Sequence, residues 1–227
     1  MSLSHSPRII TDGLVLCLDA ANKKSYSGSG TAWNELSNNM SAELVNSPTF
    51  NSQNNGFFQF VTDDYARIPN NTTLDTQTPS VEVWIKTNTT NQNGFWFEKG
   101  TVNTQYSLFQ EGTSIVWRHH FSGVGLGDLR TLASNFINTS SWYQIIGTFT
   151  SGRRRLYING NLVNSDAQTG TISTNSGGMS IGVYGGYSGV RGYYYNGNLT
   201  ICRVYNKELT SAEILQNYNA TKGRYNL

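Results

Sequence analysis

Short runs of apolar residues, each bounded by turn-forming residues, recur along the chain and limit the folds open to it. In residues 81–86 (VEVWIK), apolar and polar side chains alternate, which puts Val81, Val83 and Ile85 on one face of a strand. Asn159-Gly160 separates two further runs, and both residues tolerate the positive φ that a type I′ hairpin turn needs. The pattern predicts an all-β protein of about a dozen short strands.

The composition agrees with many turns and few helices. Charged residues make up 13% of the chain, whereas Asn, Ser and Thr account for 26, 24 and 24 of its 227 residues. Coiled coils and long surface helices need more Glu, Lys and Ala than this. One short C-terminal helix is predicted, because Thr210 and Glu213 form a capping box just before Ile214. Residues 22–56 predict a long loop with one short strand.

The domain organisation predicted from the sequence is simple. The chain is long enough to bury a core without added cross-links, and nothing in it marks a linker. We predict an N-terminal arm over residues 1–11 and one β-sandwich domain over residues 12–227. Cys17 and Cys202 lie in apolar, strand-like runs. A disulfide between them is conceivable, but two buried free thiols are favoured.

The charge balance argues against two classes of partner. The net charge is +2, and the only basic run is residues 153–155 (RRR). A nucleic-acid-binding protein normally shows a larger basic excess. The longest apolar run, residues 14–18, is too short to cross a membrane, and the N-terminus lacks the pattern of a signal peptide. We therefore expect no nucleic acid partner, no membrane insertion and synthesis in the cytoplasm.

Five segments of the chain together resemble one family. They are residues 12–16 (DGLVL), 81–86 (VEVWIK), 142–143 (WY), 156–160 (LYING) and 196–214. The last is the most specific, because it runs from a strand through Tyr-Asn-Lys-x-Leu-Thr-x-x-Glu-Ile into a helix. The set resembles the laminin-G-like, or concanavalin A-like, lectin domain. This resemblance implies an all-β jelly roll of two stacked antiparallel sheets with a short C-terminal helix.

A second resemblance concerns the setting of the domain. Residues 7–13 (PRIITDG), followed by residues 19–22 (DAAN), look like versions of this domain in structural proteins of tailed bacteriophages. That implies a non-enzymatic protein on the virion surface, as a capsid decoration or a tail-fibre appendage. Its partners would be other virion proteins or copies of itself, with cell-surface glycans as a further partner. The alternatives are a free carbohydrate-binding module and, third, a glycoside hydrolase, because the fold alone does not fix the function.

The acidic residues do not follow the pattern of a glycosidase active site. Retaining glycosidases place two carboxyl groups about 5 Å apart, and on this fold such groups usually alternate along one strand. The 14 acidic residues include no pair at i and i+2. Glu82, Glu98 and Glu111 could still converge from different strands. We expect no enzyme activity.

A segment rich in tyrosine and glycine is the most distinctive candidate for a binding site. Residues 182–195 (GVYGGYSGVRGYYY) offer flat aromatic faces to sugar C–H groups, hydroxyls for hydrogen bonds and a flexible backbone. A loop that covers the sandwich edge or a neighbouring subunit would have the same composition, and composition favours that alternative. The candidate residues for glycan or interface binding are Tyr184, Tyr187, Tyr193, Tyr194, Tyr195, Trp96, Trp117 and Arg118.

Calcium is the one cofactor that the sequence suggests. The adjacent residues Asp63 and Asp64 are the candidate ligands, because Ca²⁺ prefers carboxylate oxygens and calcium is compatible with the family. His119 and His120 are adjacent on a predicted strand, so their rings point to opposite faces and cannot hold one ion together.

Overall fold

The computed structural model describes residues 7–100, 104–186 and 191–227. In this part of the chain, sixteen strands are followed by one α-helix, α1 (Ser211–Thr221), and four short 3-10 turns lie at Gln53–Asn55, Thr72–Leu74, Ala133–Asn135 and Lys222–Tyr225. The strands are β1 (Leu14–Asp19), β2 (Ala32–Asn34), β3 (Ser41–Val45), β4 (Thr49–Asn51), β5 (Phe57–Phe60), β6 (Tyr65–Ile68), β7 (Ser80–Thr87), β8 (Gly94–Gly100), β9 (Thr104–Glu111), β10 (Ser114–Phe121), β11 (Gly125–Leu132), β12 (Tyr143–Thr150), β13 (Arg153–Ile158), β14 (Asn161–Asp166), β15 (Met179–Ile181) and β16 (Gly197–Tyr205).

The strands form two antiparallel sheets. Sheet A has the order β14-β13-β12-β7-β16-β5-β4, and β1 also pairs with β16. Sheet B has the order β11-β10-β9-β8-β15-β6-β3-β2. Strands that are distant in sequence are neighbours in both sheets, so the chain crosses repeatedly from one sheet to the other. The predicted all-β, two-sheet antiparallel jelly-roll sandwich with a short C-terminal helix is confirmed.

Side chains that point between the sheets form one continuous hydrophobic core. Val81, Val83 and Ile85 belong to it, as the alternation predicts, and Trp96 and Trp117 enter it from sheet B. All five are fully buried. Complete burial of a large apolar side chain contributes about 1.5–3 kcal/mol. The inward faces of the two sheets therefore hold the sandwich together.

The outer face of sheet A is covered by α1. Thr210 caps this helix: its Oγ1 accepts a hydrogen bond from the backbone N–H of Glu213, whose carboxylate accepts one from the backbone N–H of Thr210. This confirms the predicted capping box. On the next turn, Ile214 packs against Tyr157 and Tyr205 in a second buried cluster. The helix thus removes apolar side chains of sheet A from water.

A buried carboxylate, Glu82, lies beneath α1. Its Oε1 accepts hydrogen bonds from Trp84 Nε1 (2.9 Å), Gln144 Nε2 (3.0 Å) and Arg203 Nη1 (2.9 Å). Its Oε2 accepts a fourth from Nδ2 of Asn217 on the helix (2.9 Å). A buried charge is tolerated only when it is paired and its oxygens are hydrogen-bonded, and both conditions hold here.

Cys17 and Cys202 are free thiols, as the sequence favours. Cys202 belongs to the core between the sheets. Cys17 does not, because Leu16 and Leu18 on either side of it point inward. The two thiols therefore lie on opposite faces of sheet A, and burial raises the pKa of both.

Two parts of the strand prediction are wrong. Residues 22–56 contain three strands rather than one, and β2 and β4, with three residues each, are too short for alternation to reveal them. The sequence also misses β11, because Gly125 and Gly127 belong to a residue type that is depleted in strands. The hairpin at Asn159-Gly160 is confirmed: the two residues have φ of 50° and 79° and join β13 to β14.

The segment before β1 packs against α1. The backbone N–H of Ile10 donates to Asn217 Oδ1 (2.8 Å), and Gln216 Nε2 donates to the carbonyl oxygen of Arg8 (2.8 Å). The domain boundary at residue 12 stays a prediction. None of the described helices has the length and apolar character needed to span a membrane.

Candidate binding cleft

A separate group of apolar side chains lies on the outer face of sheet B. It consists of Phe95, Phe109 and Val116, which come from the neighbouring strands β8, β9 and β10. The rings of Phe95 and Phe109 are stacked, with centroids 4.1 Å apart. This face is the one that α1 does not cover.

The tyrosine-rich segment is fastened to the same face by backbone hydrogen bonds. Tyr184 and Gly192 exchange two of them, at 3.0 and 3.3 Å, and the N–H of Phe95 donates to the carbonyl oxygen of Tyr193 (3.1 Å). The ring centroids of Tyr184 and Tyr193 consequently lie 5.2 and 6.3 Å from that of Phe95. The aromatic surface therefore extends from the sheet onto the segment.

Glu98 is buried beneath this segment and ties it to sheet B. Its carboxylate accepts hydrogen bonds from the N–H of Gly185 (2.6 Å), Thr104 Oγ1 (2.8 Å) and Ser180 Oγ (3.3 Å). Burial raises the pKa of Glu98 to about 7, although the three hydrogen bonds oppose the rise. The segment is thus anchored by a carboxyl group that titrates near neutral pH.

Aromatic and polar side chains together line an open cleft of about 550 Å³. Ligand sites in proteins are typically concave, about 300–1,000 Å³ in volume, and mostly apolar with a few polar groups. The cleft matches this description in both respects. Its aromatic residues are Phe95, Phe109, Tyr184 and Tyr193, and its polar residues include Asn93, Gln110, Glu111, Arg118 and Arg191.

A ladder of ion pairs borders the cleft. Arg118 forms two hydrogen bonds with Asp128, at 2.7 and 2.8 Å, and its guanidinium carbon lies 4.7 Å from the ring centroid of Phe109. Arg130 contacts Asp128 (2.6 Å) and Glu111. Burial opposes the ionisation of Asp128, but hydrogen bonds from the two arginines outweigh it and lower the pKa of that carboxyl. The carboxylates of Asp128 and Glu111 are therefore both held in ion pairs with arginines.

Tyr193 adopts a strained backbone conformation at the mouth of the cleft. Its φ is 52°, and its side chain is 55% exposed. A residue other than glycine in this region costs about 1–3 kcal/mol, and such residues cluster at ligand sites. The hydrogen bond from Phe95 holds the strained residue in place.

Comparisons with known proteins agree with this architecture. Residues 60–215 match a laminin G family model described as the concanavalin A-like lectin/glucanases superfamily. The chain belongs to this superfamily. No curated protein matches the chain.

Solved structures of the same lectin-like fold include binding domains of botulinum neurotoxins. The serotype D binding domain is 19% identical with a TM-score of 0.70, and the match covers 92% of this chain and 52% of that one. The DC binding domain in complex with rat synaptotagmin II is 14% identical with a TM-score of 0.70 and the same coverage. A type C structure, whose description states that cell entry depends on two ganglioside molecules, is 14% identical with a TM-score of 0.72 and coverage of 92% and 51%. The chain spans about half the length of these structures, and the likeness at such identities concerns the fold.

Three of the residues predicted to contact a ligand line the cleft of this lectin-like domain: Tyr184, Tyr193 and Arg118. Tyr194 is half-buried and does not belong to the cleft lining. Tyr187 lies outside the described residues.

Trp96, Trp117 and Tyr195 are wholly buried in the core, so their predicted place on a ligand platform is wrong. Trp117 points inward and donates from Nε1 to the carbonyl oxygen of Thr148 on the facing sheet (3.0 Å). Trp96 and Tyr195 contact each other edge to face at 6.3 Å between centroids. Aromatic content alone does not tell an outward ring from one that fills the space between two sheets.

The sequence analysis missed Phe95, Phe109 and Arg191. An irregularity between Phe95 and Phe97 changes the register of β8, so alternation does not reveal which of its aromatic residues points outward. For β9, alternation does indicate the direction of Phe109. Its neighbour Leu108 points inward, so Phe109 must point outward.

The predicted calcium ligands have roles within a turn. Oδ2 of Asp64 accepts a hydrogen bond from the N–H of Val61 (3.1 Å), and Oδ2 of Asp63 accepts one from Asn46 Nδ2 (2.9 Å). Across the described ranges, no three His, Cys, Asp or Glu side chains converge as a metal-binding group. Both carboxylates stabilise the turn between β5 and β6, and calcium binding stays a prediction.

Glu82, Glu98 and Glu111 do not converge as a set. Glu82 lies beneath α1 on sheet A, whereas Glu98 and Glu111 belong to strands of sheet B. Of these two, only Glu111 lines the cleft.

Proposed function

We propose that the chain is a non-catalytic, lectin-like binding module that takes a glycan in the cleft on the outer face of sheet B. The observation that carries this proposal is the aromatic surface formed by Phe95, Phe109, Tyr184 and Tyr193, in which the two phenylalanine rings are stacked, bordered by charged and amide side chains. Aromatic faces suit the C–H groups of a sugar ring, and fixed polar groups suit its hydroxyls. The ganglioside dependence stated for one neurotoxin of similar fold agrees with such a ligand class.

Binding is favoured over hydrolysis by the state of the cleft's carboxylates. A glycosidase needs one carboxyl group as an acid and another as a nucleophile or base. Glu111 and Asp128 are instead occupied by Arg130 and Arg118, and Glu98 is buried with three hydrogen-bond donors. Each of these carboxylates thus already has a partner within the fold, which supports binding rather than hydrolysis.

The proposed setting is the surface of a tailed-bacteriophage particle, in contact with other virion proteins or copies of the same chain. The resemblance of residues 7–13 and 19–22 to domains of phage structural proteins supports it. Mass spectrometry of purified particles tests the location. Detection of the chain in stoichiometric amounts is expected. Its absence from particles would favour the alternative, a free carbohydrate-binding module.

The ligand class is tested with a glycan array, run with calcium and with a chelator. We expect a defined set of glycans to bind. Tyr184→Ala should abolish that binding and leave the melting temperature nearly unchanged, because Tyr184 is only partly buried at the cleft. Calcium dependence would implicate Asp63 and Asp64.

Tyr194→Ala is the matched control, because Tyr194 belongs to the same segment but not to the cleft lining. It should bind as the parent protein does. A parent protein that binds no glycan, or equal losses in the two variants, would contradict the proposed site. A large loss of stability in Tyr184→Ala would make Tyr184 a structural residue.

A further inference from the structure

One cationic side chain of the cleft has no anionic partner. Among the described residues, Arg118 and Arg130 each have a carboxylate within 4 Å, whereas Arg191 has none. The undescribed residues contain no Asp or Glu. The uncompensated positive charge of the cleft therefore lies at Arg191.

The position of Arg191 is defined by the fold. It directly precedes Gly192, which is hydrogen-bonded to Tyr184 in both directions. Its guanidinium carbon lies 5.3 Å from the ring centroid of Tyr65, a buried residue of β6. A guanidinium group that lies over an aromatic ring keeps its N–H donors, which point outward in the guanidinium plane, available to an anion.

We propose that the cleft selects an acidic sugar, whose carboxylate pairs with Arg191 while its ring lies against the aromatic residues. This inference rests on the proposed glycan-binding function and adds the ligand's charge to it. A planar carboxylate can accept two parallel hydrogen bonds from a guanidinium group, which a neutral hydroxyl cannot do. A sulfate ester carries the same charge, but its oxygens are less basic than those of a carboxylate and so accept weaker hydrogen bonds, and it serves as a comparison ligand.

The test compares acidic sugars with their neutralised forms. The probes are trigalacturonate and an α2,8-linked sialic acid trimer, the methyl esters of both, and a sulfated neutral trisaccharide, measured by calorimetry. We expect the parent protein to bind one of the two acids at least roughly tenfold more tightly than its ester, since a hydrogen bond to a charged group has this strength. The sulfated sugar should bind more weakly than that acid.

Arg191→Gln should remove the preference, so that acid and ester bind alike. Arg8→Gln is the matched control, because Arg8 is an exposed arginine that also lacks a carboxylate partner but lies against α1, away from the cleft. It should keep the preference.

Three results would overturn the inference. One is a parent protein that binds each acid and its ester equally, and another is a preference that survives in Arg191→Gln. The third is binding of neutral glycans on the array without binding of either acid. In that case, the proposed glycan-binding function stands and only the charge assignment fails. No binding of any glycan would overturn both.

Discussion

Glu98 shows how one residue links the stability of the fold to the shape of the cleft. It is fully buried, and its carboxylate holds the N–H of Gly185 at the start of the tyrosine-rich segment. The positive charge of Arg118 favours its ionised form but does not offset its burial. Ionisation of Glu98 in the folded protein is therefore unfavourable until the pH approaches neutrality.

The direction of the pH effect follows from this. An unfolded chain loses the Glu98 proton near pH 4.5, and the folded protein keeps it up to about pH 7. The contribution of this group to stability is complete below pH 4.5 and is lost as the pH rises to 7. The loss amounts to about 3 kcal/mol, because one pKa unit corresponds to roughly 1.4 kcal/mol.

Glu98→Gln should abolish this loss, since an amide can still accept the bond from Gly185 and carries no charge. We expect the stability of the variant, minus that of the parent, to increase by about 3 kcal/mol between pH 4.5 and 8. Urea denaturation at intervals of one pH unit measures it. Taking the difference between variant and parent cancels the pH dependence of groups that both proteins share. One of these is buried His119, whose lowered pKa makes the protein more stable as the pH rises. A difference that does not vary with pH would contradict the prediction.

At the scale of single residues, only part of the candidate site was predictable from the sequence. The tyrosine-rich composition identified Tyr184 and Tyr193, because a tyrosine offers both a flat apolar face and a hydroxyl to a ligand, but it did not separate them from Tyr195 in the core. It did not identify Phe95, whose direction depends on an irregularity of β8 that a single sequence does not reveal. It also misplaced Trp117, since a buried tryptophan and a ligand-binding one have the same side chain.

At the scale of the elements, the spacing of the two sheets depends on a glycine. Gly147 of β12 faces Trp117 of β10, and a Cβ at this position would lie 2.4 Å from Cδ2 of the indole ring. The indole also donates to the carbonyl oxygen of Thr148 in the facing strand. The absence of a side chain at residue 147 is what lets the indole lie flat between the sheets.

Gly147→Ala should therefore destabilise the protein by about 1–3 kcal/mol, the usual cost of overpacking a core. Thermal and urea denaturation measure this. Adding Trp117→Phe should recover part of the loss, because the smaller ring makes room for the methyl group. Gly223→Ala is the control, since nothing lies within 4 Å of a Cβ there. A Gly147→Ala variant as stable as the Gly223→Ala variant would contradict this account.

The predictability of each strand depended on its length and on its glycines. The alternating pattern of β7 gave its inward face correctly, because eight residues allow several repeats of a two-residue period. Strands of three residues, such as β2 and β4, do not contain enough repeats. In β11, glycines replace the side chains that would have carried the pattern.

At the scale of the whole molecule, the two outer faces of the sandwich differ. The helix α1 packs on the outer face of sheet A. Its Asn217 donates a hydrogen bond to Glu82, which forms a buried ion pair with Arg203. Burial disfavours the charge of Arg203, but Glu82 outweighs it and raises the pKa of that guanidinium. Removal of either partner would leave the other charge buried alone.

Each single variant, Glu82→Gln and Arg203→Met, should therefore cost about 3–5 kcal/mol. The double variant should be more stable than either one, because it buries no charge and the amide oxygen introduced at residue 82 can still accept from Trp84 and Gln144. Urea denaturation of the four proteins gives the coupling energy. Additive losses in the double variant would show that the two side chains act independently.

The contact of Arg8 and Ile10 with α1 bears on the direction in which an attached molecule presents its cleft. Arg8 and Ile10 contact α1 and Tyr225 stacks on Trp84, all on the outer side of sheet A, whereas the cleft opens on the outer face of sheet B. A molecule fixed to a support by its sheet A side would point its cleft away from that support. Copies fixed side by side would present a layer of outward-facing clefts, and the proposed binding of glycan would then hold a glycan surface by many weak contacts at once.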